Sequence, residues 1–197
     1  MIGARASGKS RASRKLAARV GWTRISTDEL LEARFGPIAA FVERFGWERF
    51  RKEESAVLQG ISGERLVVDC GGGIVETPQN ISRLRELGTV YWARAPVAFL
   101  KQRLARRKHR AGRPPLPGIP PEDEAVMVLE RRTPLYREAA VADLWSTGAS
   151  SADQAEAVET LLTAHFGPPL ALTVAGRAWR TSAPASTPPL PRPGRSI

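Results

Sequence analysis

A phosphate-binding motif at the amino end limits the folds open to this 197-residue chain more than any other feature. Residues 3–10 read GARASGKS, which fits the pattern GxxxxGKS, and the residues that follow suit a helix. The glycines let backbone amides turn inward around phosphate oxygens, Lys9 adds a cation, and Ser10 offers a hydroxyl to Mg²⁺. Glycine turns before helices are common, but the complete pattern at a helix start favours nucleotide binding over a purely structural turn.

The strand that should precede this loop is short. A phosphate loop normally follows a buried β-strand, and only Met1 and Ile2 stand before Gly3. Two residues are too few for a central strand. The interpretations are that the true start lies upstream, that the domain was cut from a longer chain, or that another segment supplies the strand. We favour the first two.

Apolar runs alternate with amphipathic stretches along residues 1–167, which is the pattern of βα units around a parallel sheet. The sequence predicts four strands, at 22–26, 65–70, 89–93 and 142–147. It predicts helices at 9–20, 28–35, 38–60 with breaks, 80–87, 96–108, 122–139 and 151–165. Pro134 should disturb the sixth of these helices, because proline lacks the amide donor.

Composition excludes several classes of protein. No apolar run approaches the roughly 20 residues that cross a bilayer, and the amino end does not resemble a secretory signal. The single cysteine allows no internal disulfide, so we expect a cytoplasmic protein. The net charge of +10 favours anionic partners. A nucleic-acid-binding protein is the least favoured interpretation, since no recognition motif accompanies the charge.

The chain divides into a domain over 1–167 and a tail over 168–197. The tail is rich in Pro, Ser and Arg, and we expect 181–197 to be disordered. Residues 170–176 suit a short strand. That run has a faint similarity to the opening strand of a type I dehydroquinase, which would suit fusion to another domain of the same pathway.

Further motifs follow the loop in a fixed order. They read DELLE at 28–32, GWERFRKE at 46–53, CGGGIV at 70–75, LAR at 104–106, RPPL at 113–116 and RTPLY at 132–136. The ordered set resembles the shikimate kinase family across residues 1–167. The resemblance implies a three-layer α/β P-loop kinase fold with a central parallel sheet, whose first strand is largely missing from this chain. It also implies ATP and Mg²⁺ as cofactors and phosphorylation of the 3-hydroxyl of shikimate.

The resemblance assigns the residues of the phosphate loop and of the acceptor. Asp28 matches the carboxylate that binds shikimate hydroxyls and draws off the proton of the attacking hydroxyl. Its alternative role is the N-cap of the helix that follows. The resemblance assigns metal binding to Ser10. It assigns nucleotide binding to the loop, to the residue that follows it and to one residue of the later basic stretch: Gly3, Ser7, Gly8, Lys9, Ser10, Arg11 and Arg106. The catalytic set is Lys9, Asp28 and Arg113.

Two arginines match the family pair that holds the shikimate carboxylate. Arg51 and Arg132 offer the planar guanidinium forks that suit a carboxylate. Arg51 lies in a charged run, so its alternative is a solvated helix face with local ion pairs, and Arg132 could equally be a surface residue. Leu135 and Tyr136 are assigned to packing.

The glycine run Gly71, Gly72 and Gly73 follows an apolar strand, and we expect it to contact substrate through a close backbone approach. Cys70 is expected to be a small buried residue. Asp69 could assist Mg²⁺, although strand alternation could point it elsewhere.

The basic stretch from Lys101 to Arg113 contains seven Lys or Arg and no acidic residue. It matches the family's mobile lid, in which Arg113 reaches the transferred phosphoryl group and Arg106 lies against adenine. Its alternative is a solvated basic face or a nucleic-acid patch.

The match departs from the family at one acidic position. The family usually has two aspartates separated by one residue, and Ser26 stands here in place of the first, which weakens the expected metal site. The main prediction is a monomeric shikimate kinase. The alternatives are a catalytically weak binding or regulatory domain cut from a multifunctional fusion, and a kinase of another small polyol or sugar acid.

Overall fold

A computed structural model describes residues 1–105, 121–145 and 160 of the chain. Strands and helices alternate in these ranges, as the βα pattern predicts. The strands are β1 Thr23–Ser26, β2 Leu66–Asp69, β3 Tyr91–Arg94 and β4 Ala142–Trp145. The helices are α1 Lys9–Val20, α2 Thr27–Phe35, α3 Ile38–Gln59, α4 Pro78–Leu87, α5 Val97–Ala105 and α6 Pro121–Ala139.

The sheet is parallel, and its two pairs of strands are joined by the first residues of the chain. β1 pairs with β2 and β3 pairs with β4. The Met1 ammonium donates to the Val68 carbonyl at 2.6 Å, and the Cys70 amide donates to the Met1 carbonyl at 3.1 Å. On the other side, Ile2 exchanges hydrogen bonds with β3, at 2.9 Å to the Tyr91 carbonyl and 2.8 Å from the Ala93 amide.

Met1 and Ile2 therefore take the central position that the loop motif requires. Met1 is 8% exposed and packs with Ala12 of α1, while Ile2 is fully buried in the main core. Successive strand residues face opposite sides of a sheet, so two residues suffice to touch both layers of helices. They form only an isolated bridge, between Ile2 and Trp92, so the expectation that the first strand is largely missing agrees with the structure. No other segment among the described residues supplies the strand.

Local signals explain the helix ends. α1 starts after Gly8, whose φ of 95° is left-handed, and ends at the left-handed Gly21. Ser26 caps α2 by accepting a hydrogen bond from the Glu29 amide at 3.3 Å. α3 is broken at Gly46, where φ is 78° and ψ is 168°, as the predicted breaks require. α6 runs through Pro134.

Besides the small cluster around Met1 and Ala12, two larger apolar clusters pack the helices. The main cluster joins Ile2 to α3, α4 and α6 and includes Trp92 and Tyr136, whose ring centroids lie 5.4 Å apart. The second cluster packs α2 against α3 through aromatic rings, among them Phe41 and Phe50. Phe50 is 1% exposed, so its burial sets the rotation of α3 and thereby the direction of its neighbour Arg51.

The described elements confirm the predicted ones to within a few residues, and they add a 3-10 turn at Ile74–Glu76. The end of the fifth predicted helix, most of the helix at 151–165 and the whole tail lie outside the described residues, so the domain boundary at 167 stays a prediction. Within the described residues, none of the helices combines the length and the apolar character that crossing a bilayer demands.

Candidate active site

The phosphate loop lies where the parallel sheet ends, between Ile2 and α1. Gly3 has a φ of 143°, and a Cβ there would overlap the carbonyl oxygen of Ala93, so only glycine fits. The Ser7 amide donates to the Ala4 carbonyl at 3.2 Å and closes the loop. The loop leads directly into α1, so the free amides and positive end of this helix are available to an anion.

The predicted nucleotide ligands occupy different depths of this loop. Lys9 is 9% exposed and Ser7 is 1% exposed, and the Ser7 hydroxyl has no hydrogen-bond partner among the described residues. Ser10 lies in the first turn of α1, and Arg11 is exposed. Arg106 and Arg113 lie outside the described residues, so their predicted lid roles stay predictions.

Arg103 binds the phosphate loop at Ala6. The sequence analysis did not identify this arginine as a site residue. Its Nη1 donates to the Ala6 carbonyl at 2.9 Å, and its guanidinium lies 4.0 Å from the centroid of the Phe99 ring. Ala6 has a left-handed φ of 66°, which this contact stabilises. Arg103 belongs to the same basic stretch as the predicted lid. The charge pattern alone could not tell it from the other basic residues of that stretch.

Asp28 lies in the first turn of α2 and does not cap this helix. The cap is Ser26, and Asp28 sits in the first turn of α2 with its Oδ1 buried. Thr27, just before it, accepts a hydrogen bond from the Gly71 amide at 2.8 Å. The N-cap alternative for Asp28 is therefore wrong, because the helix begins one residue earlier than predicted.

The three glycines join the phosphate loop to α3. All three are buried, and their conformations do not demand glycine, since Gly73 has a φ of −101°. Close approach demands it instead. A Cβ on Gly72 would lie 3.3 Å from the Gly3 carbonyl oxygen, and one on Gly73 would overlap the guanidinium of Arg51. Gly72 and Gly73 are consecutive, and consecutive Cα atoms are about 3.8 Å apart. The phosphate loop and Arg51 therefore contact the same short turn.

The two arginines that are predicted to bind the substrate carboxylate lie beside this turn. Arg51 lies with its guanidinium on Gly73, and its side chain is 17% exposed. Arg132 is 8% exposed, and its Nε–H has no acceptor among the described residues. The surface alternative for Arg132 is wrong, and Arg51 is not on a solvated face, although it does make a local ion pair with Glu54. The solvated description fits only the neighbours of Arg51, such as Arg49, whose side chain is 60% exposed.

Two glutamates bind these arginines, and the sequence analysis gave neither a role. Glu54 is fully buried one helical turn beyond Arg51 and pairs with it. Glu76 pairs with Arg51 at 2.8 Å, with Arg132 at 2.9 Å and with Arg131. Burial opposes the ionised form of Glu76 most strongly, but the arginines outweigh it, and together they lower the pKa of the Glu76 carboxyl.

Tyr136 ties α6 to the same turn. It is fully buried, as its assignment to packing predicts, and its hydroxyl also donates a hydrogen bond to the Gly72 carbonyl. This bond anchors α6 one turn beyond Arg132. The placement of Arg132 therefore depends on a contact between residues far apart in the sequence.

A second charged group links β1 and β2 to the first turns of α1. Asp69 is 2% exposed, pairs with Arg24 at 2.6 Å, and lies opposite Ser26 in the register of the two strands. The Arg24 Nε donates to the Ser13 hydroxyl at 3.0 Å, and that hydroxyl donates to the Ser10 carbonyl at 3.1 Å. The Asp69 Oδ1 is buried and accepts no hydrogen bond from the described residues.

Cys70 is a buried thiol, as predicted. It is 1% exposed, and burial raises its pKa to about 11; the carboxylates of Asp69 and Glu54 act in the same direction, whereas the Met1 ammonium and Lys9 lower the pKa. A thiol in this state is almost entirely protonated at neutral pH, so it is a poor nucleophile.

Comparison with known proteins gives one consistent result. A family model described as shikimate kinase matches residues 5–164. The chain is 44% identical over 142 residues to the shikimate kinase of Nitratidesulfovibrio vulgaris (Hildenborough), covering 71% of this chain and 81% of that protein. It is 43% identical over 158 residues to the shikimate kinase of Oleidesulfovibrio alaskensis, covering 78% and 92%.

A solved structure has the same fold. The shikimate kinase of Acinetobacter baumannii, solved in complex with shikimate, superposes with a TM-score of 0.75 at 29% sequence identity and covers 86% of this chain and 92% of that one. The family model spans more than half of the chain, and the loop and the glycine turn that it covers meet at one edge of the sheet. This chain therefore belongs to the shikimate kinase family.

Proposed function

We propose that this chain transfers the γ-phosphoryl group of ATP to the 3-hydroxyl of shikimate, giving 3-phosphoshikimate and ADP. Membership of the family makes it a small-molecule kinase, a phosphotransferase that acts on an alcohol. The observation that carries the proposal is the glycine turn. Gly72 packs against the phosphate loop, and Gly73 packs against the guanidinium of Arg51. A phosphate site and a carboxylate site therefore share one short segment.

The acceptor acid binds through its carboxylate to the guanidiniums of Arg51 and Arg132. Support comes from the burial of Arg132 and from its Nε–H, which has no acceptor among the described residues. A buried guanidinium donor costs free energy until an acceptor arrives, so a planar acid is favoured there. Asp28, at the start of α2, orients the attacking hydroxyl and accepts its proton.

Lys9 and the amides of the loop hold the phosphates of ATP. Phosphoryl transfer needs charge neutralisation on the γ-phosphoryl oxygens more than covalent chemistry, and a mostly buried lysine provides it. The positive end of α1 acts in the same direction. Arg106 and Arg113 extend this role from the predicted lid.

The residues beside the loop fit a magnesium ion. Ser10 lies in the first turn of α1, and the nearby Asp69 carboxylate keeps one buried oxygen without a hydrogen-bond partner among the described residues. Hydroxyl and carboxylate oxygens suit this hard cation, which is usually held by one or two protein groups together with substrate phosphates. A bound Mg²⁺ would offset charge on the phosphates. Ser26 contributes the α2 cap in place of a family carboxylate.

Steady-state kinetics of Arg51→Ala and Arg132→Ala test this assignment. Each loses charge-assisted hydrogen bonds worth about 1.5–3 kcal/mol, so the KM for shikimate should rise about 10- to 100-fold. The KM for ATP should stay within about twofold. Arg49→Ala is the matched control, because Arg49 lies on the same helix with a 60% exposed side chain and pairs with Glu53 rather than with Glu54 or Glu76, so it should leave both constants unchanged.

The outcomes separate the alternatives. A chain that binds nucleotide but releases no ADP with shikimate and Mg²⁺ would be a binding or regulatory domain. ADP release with another polyol or sugar acid, and none with shikimate, would identify a different kinase. An equal rise in both Michaelis constants would contradict the carboxylate role of the arginines. A monomeric state, a cytoplasmic location and fusion to another pathway domain stay predictions.

A further inference from the structure

Glu76 already occupies the arginines that are assigned to the substrate. Its Oε2 contacts Nη2 of Arg51 at 2.8 Å and Nη2 of Arg132 at 2.9 Å. Its Oε1 contacts Arg131, whose side chain is 65% exposed. One carboxylate oxygen thus bridges both guanidiniums that the acid would use. The same groups cannot give these donors to a second carboxylate without releasing the first.

The charge at this cluster leaves little attraction for an anion. Three arginines, Arg51, Arg131 and Arg132, meet two carboxylates, Glu54 and Glu76, so the net charge is +1 (three minus two). Glu54 is fully buried and fixed on α3. Glu76 ends the 3-10 turn, and its side chain is 19% exposed. Of the two carboxylates, Glu76 is the one that can turn outward.

We propose that Glu76 is an internal competitor of the substrate carboxylate, and that it gives up Arg51 and Arg132 when the acid binds. This inference rests on the proposed function, because it takes the two arginines as the carboxylate site. Arg131 keeps its contact with Oε1 and holds Glu76 at the rim after displacement. Glu76 thereby sets the affinity for the acid and keeps small inorganic anions off the empty arginine pair.

A scaffold role would have the opposite sign. If Glu76 only held the two guanidiniums in place, its loss would loosen them and weaken the binding of every anion. If it competes, its neutral isostere strengthens binding, because a negative charge leaves the cluster and the donors become available. The direction of one change in affinity therefore separates the two roles.

The test is calorimetric titration of purified wild type, Glu76→Gln and Glu48→Gln with shikimate and, separately, with sodium sulfate, each with excess ADP filling the phosphate loop so that sulfate reports on the arginine pair. Glu76→Gln should lower the dissociation constant of each ligand about tenfold, a difference of about 1.4 kcal/mol. The KM for ATP should not change. Glu48→Gln makes the same charge change on an exposed side chain of α3 and should leave both dissociation constants unchanged. Weaker or unchanged binding to Glu76→Gln would overturn the proposal.

The sulfate arm separates this inference from the proposed function. If wild type does not bind shikimate, the proposed function fails, and tighter sulfate binding by Glu76→Gln still decides whether Glu76 competes. If wild type binds shikimate and the variant binds it no more tightly, only the competitor fails.

A measurement on wild type alone covers the case in which the variant does not fold. The groups facing Glu76 are Arg51, Arg131 and Arg132, with Glu54 behind Arg51. They lower the pKa of Glu76, so losing two of them should return it toward its ordinary value of 4.5. With excess ADP in the phosphate loop, sulfate binding near pH 4.5 should then take up protons, measured as a dependence of the heat on the ionisation enthalpy of the buffer. Binding without proton uptake would contradict displacement.

Discussion

Gly73→Ala tests the contact on which the carboxylate site depends. The added Cβ would overlap the guanidinium of Arg51, so this side chain must leave the turn. The guanidinium is the flexible end of the long Arg51 side chain, so it can move away while the backbone stays in place. Unfolding free energy should fall by about 3 kcal/mol, chiefly because the fully buried carboxylate of Glu54 loses its ion pair with Arg51.

The effect on substrate binding should be specific to the acid. Displacing Arg51 removes one of two guanidiniums from the carboxylate site, and hydrogen bonds to charged groups are worth about 1.5–3 kcal/mol. The KM for shikimate should rise about 10- to 100-fold, while the KM for ATP changes by less than about twofold. The assay is ADP release at saturating ATP with varied shikimate, together with urea unfolding.

Gly72→Ala is the neighbouring control. Its Cβ would lie 3.3 Å from the Gly3 carbonyl oxygen and 3.4 Å from the Arg5 amide nitrogen, so the phosphate loop must shift by a few tenths of an ångström. This variant should raise the KM for ATP and affect shikimate less. If Gly73→Ala leaves the KM for shikimate unchanged, or if both variants affect the same substrate, the division of this turn between two sites is wrong.

Three further predictions concern the residues around the turn. Burial raises the pKa of the Cys70 thiol from 9.0 to about 11, so the unfolded state loses its proton first, and this group should lower the unfolding free energy by about 3 kcal/mol as pH rises through this window. In urea titrations at each pH, Cys70→Ala should make the fall smaller by that amount, and the rest includes Tyr91, whose pKa is also raised by burial. Ser26→Asp should keep the cap of α2 but place a carboxylate opposite buried Asp69, lowering unfolding free energy by about 1 kcal/mol. In a double-mutant cycle, Asp69→Asn should remove most of that cost, and additivity would show that the two positions do not interact. Gly3→Ala should lower the unfolding free energy by about 2–3 kcal/mol and weaken ATP binding in a nucleotide titration, because its Cβ overlaps the backbone of β3. The control is Gly21→Ala, which also has a positive φ but lies in open space, and it should lower the unfolding free energy by about 1 kcal/mol and leave ATP binding unchanged. Equal effects of the two variants would rule out the clash at Gly3.

The local elements could be predicted because their signals are local. The bounds of α1 follow from a glycine pair at its ends, and the break in α3 follows from Gly46. Strands β1 to β4 follow from short apolar runs between helices. The start of α2 was misplaced because two neighbouring residues, Ser26 and Asp28, can both cap a helix, and only the backbone at Ser26 decides which one does.

The sequence by itself determined the phosphate loop, the order of the βα units and the family, since these reside in consecutive residues and fixed spacings. Only the tertiary structure decided what the loop faces. The contact of Arg51 with Gly73, the bridge from Glu76 to Arg132 and the pair of Arg24 with Asp69 join residues 22 to 56 positions apart. The sequence around a charged residue does not show which residue it will pair with, because the pairing depends on which backbone segments the buried core brings together.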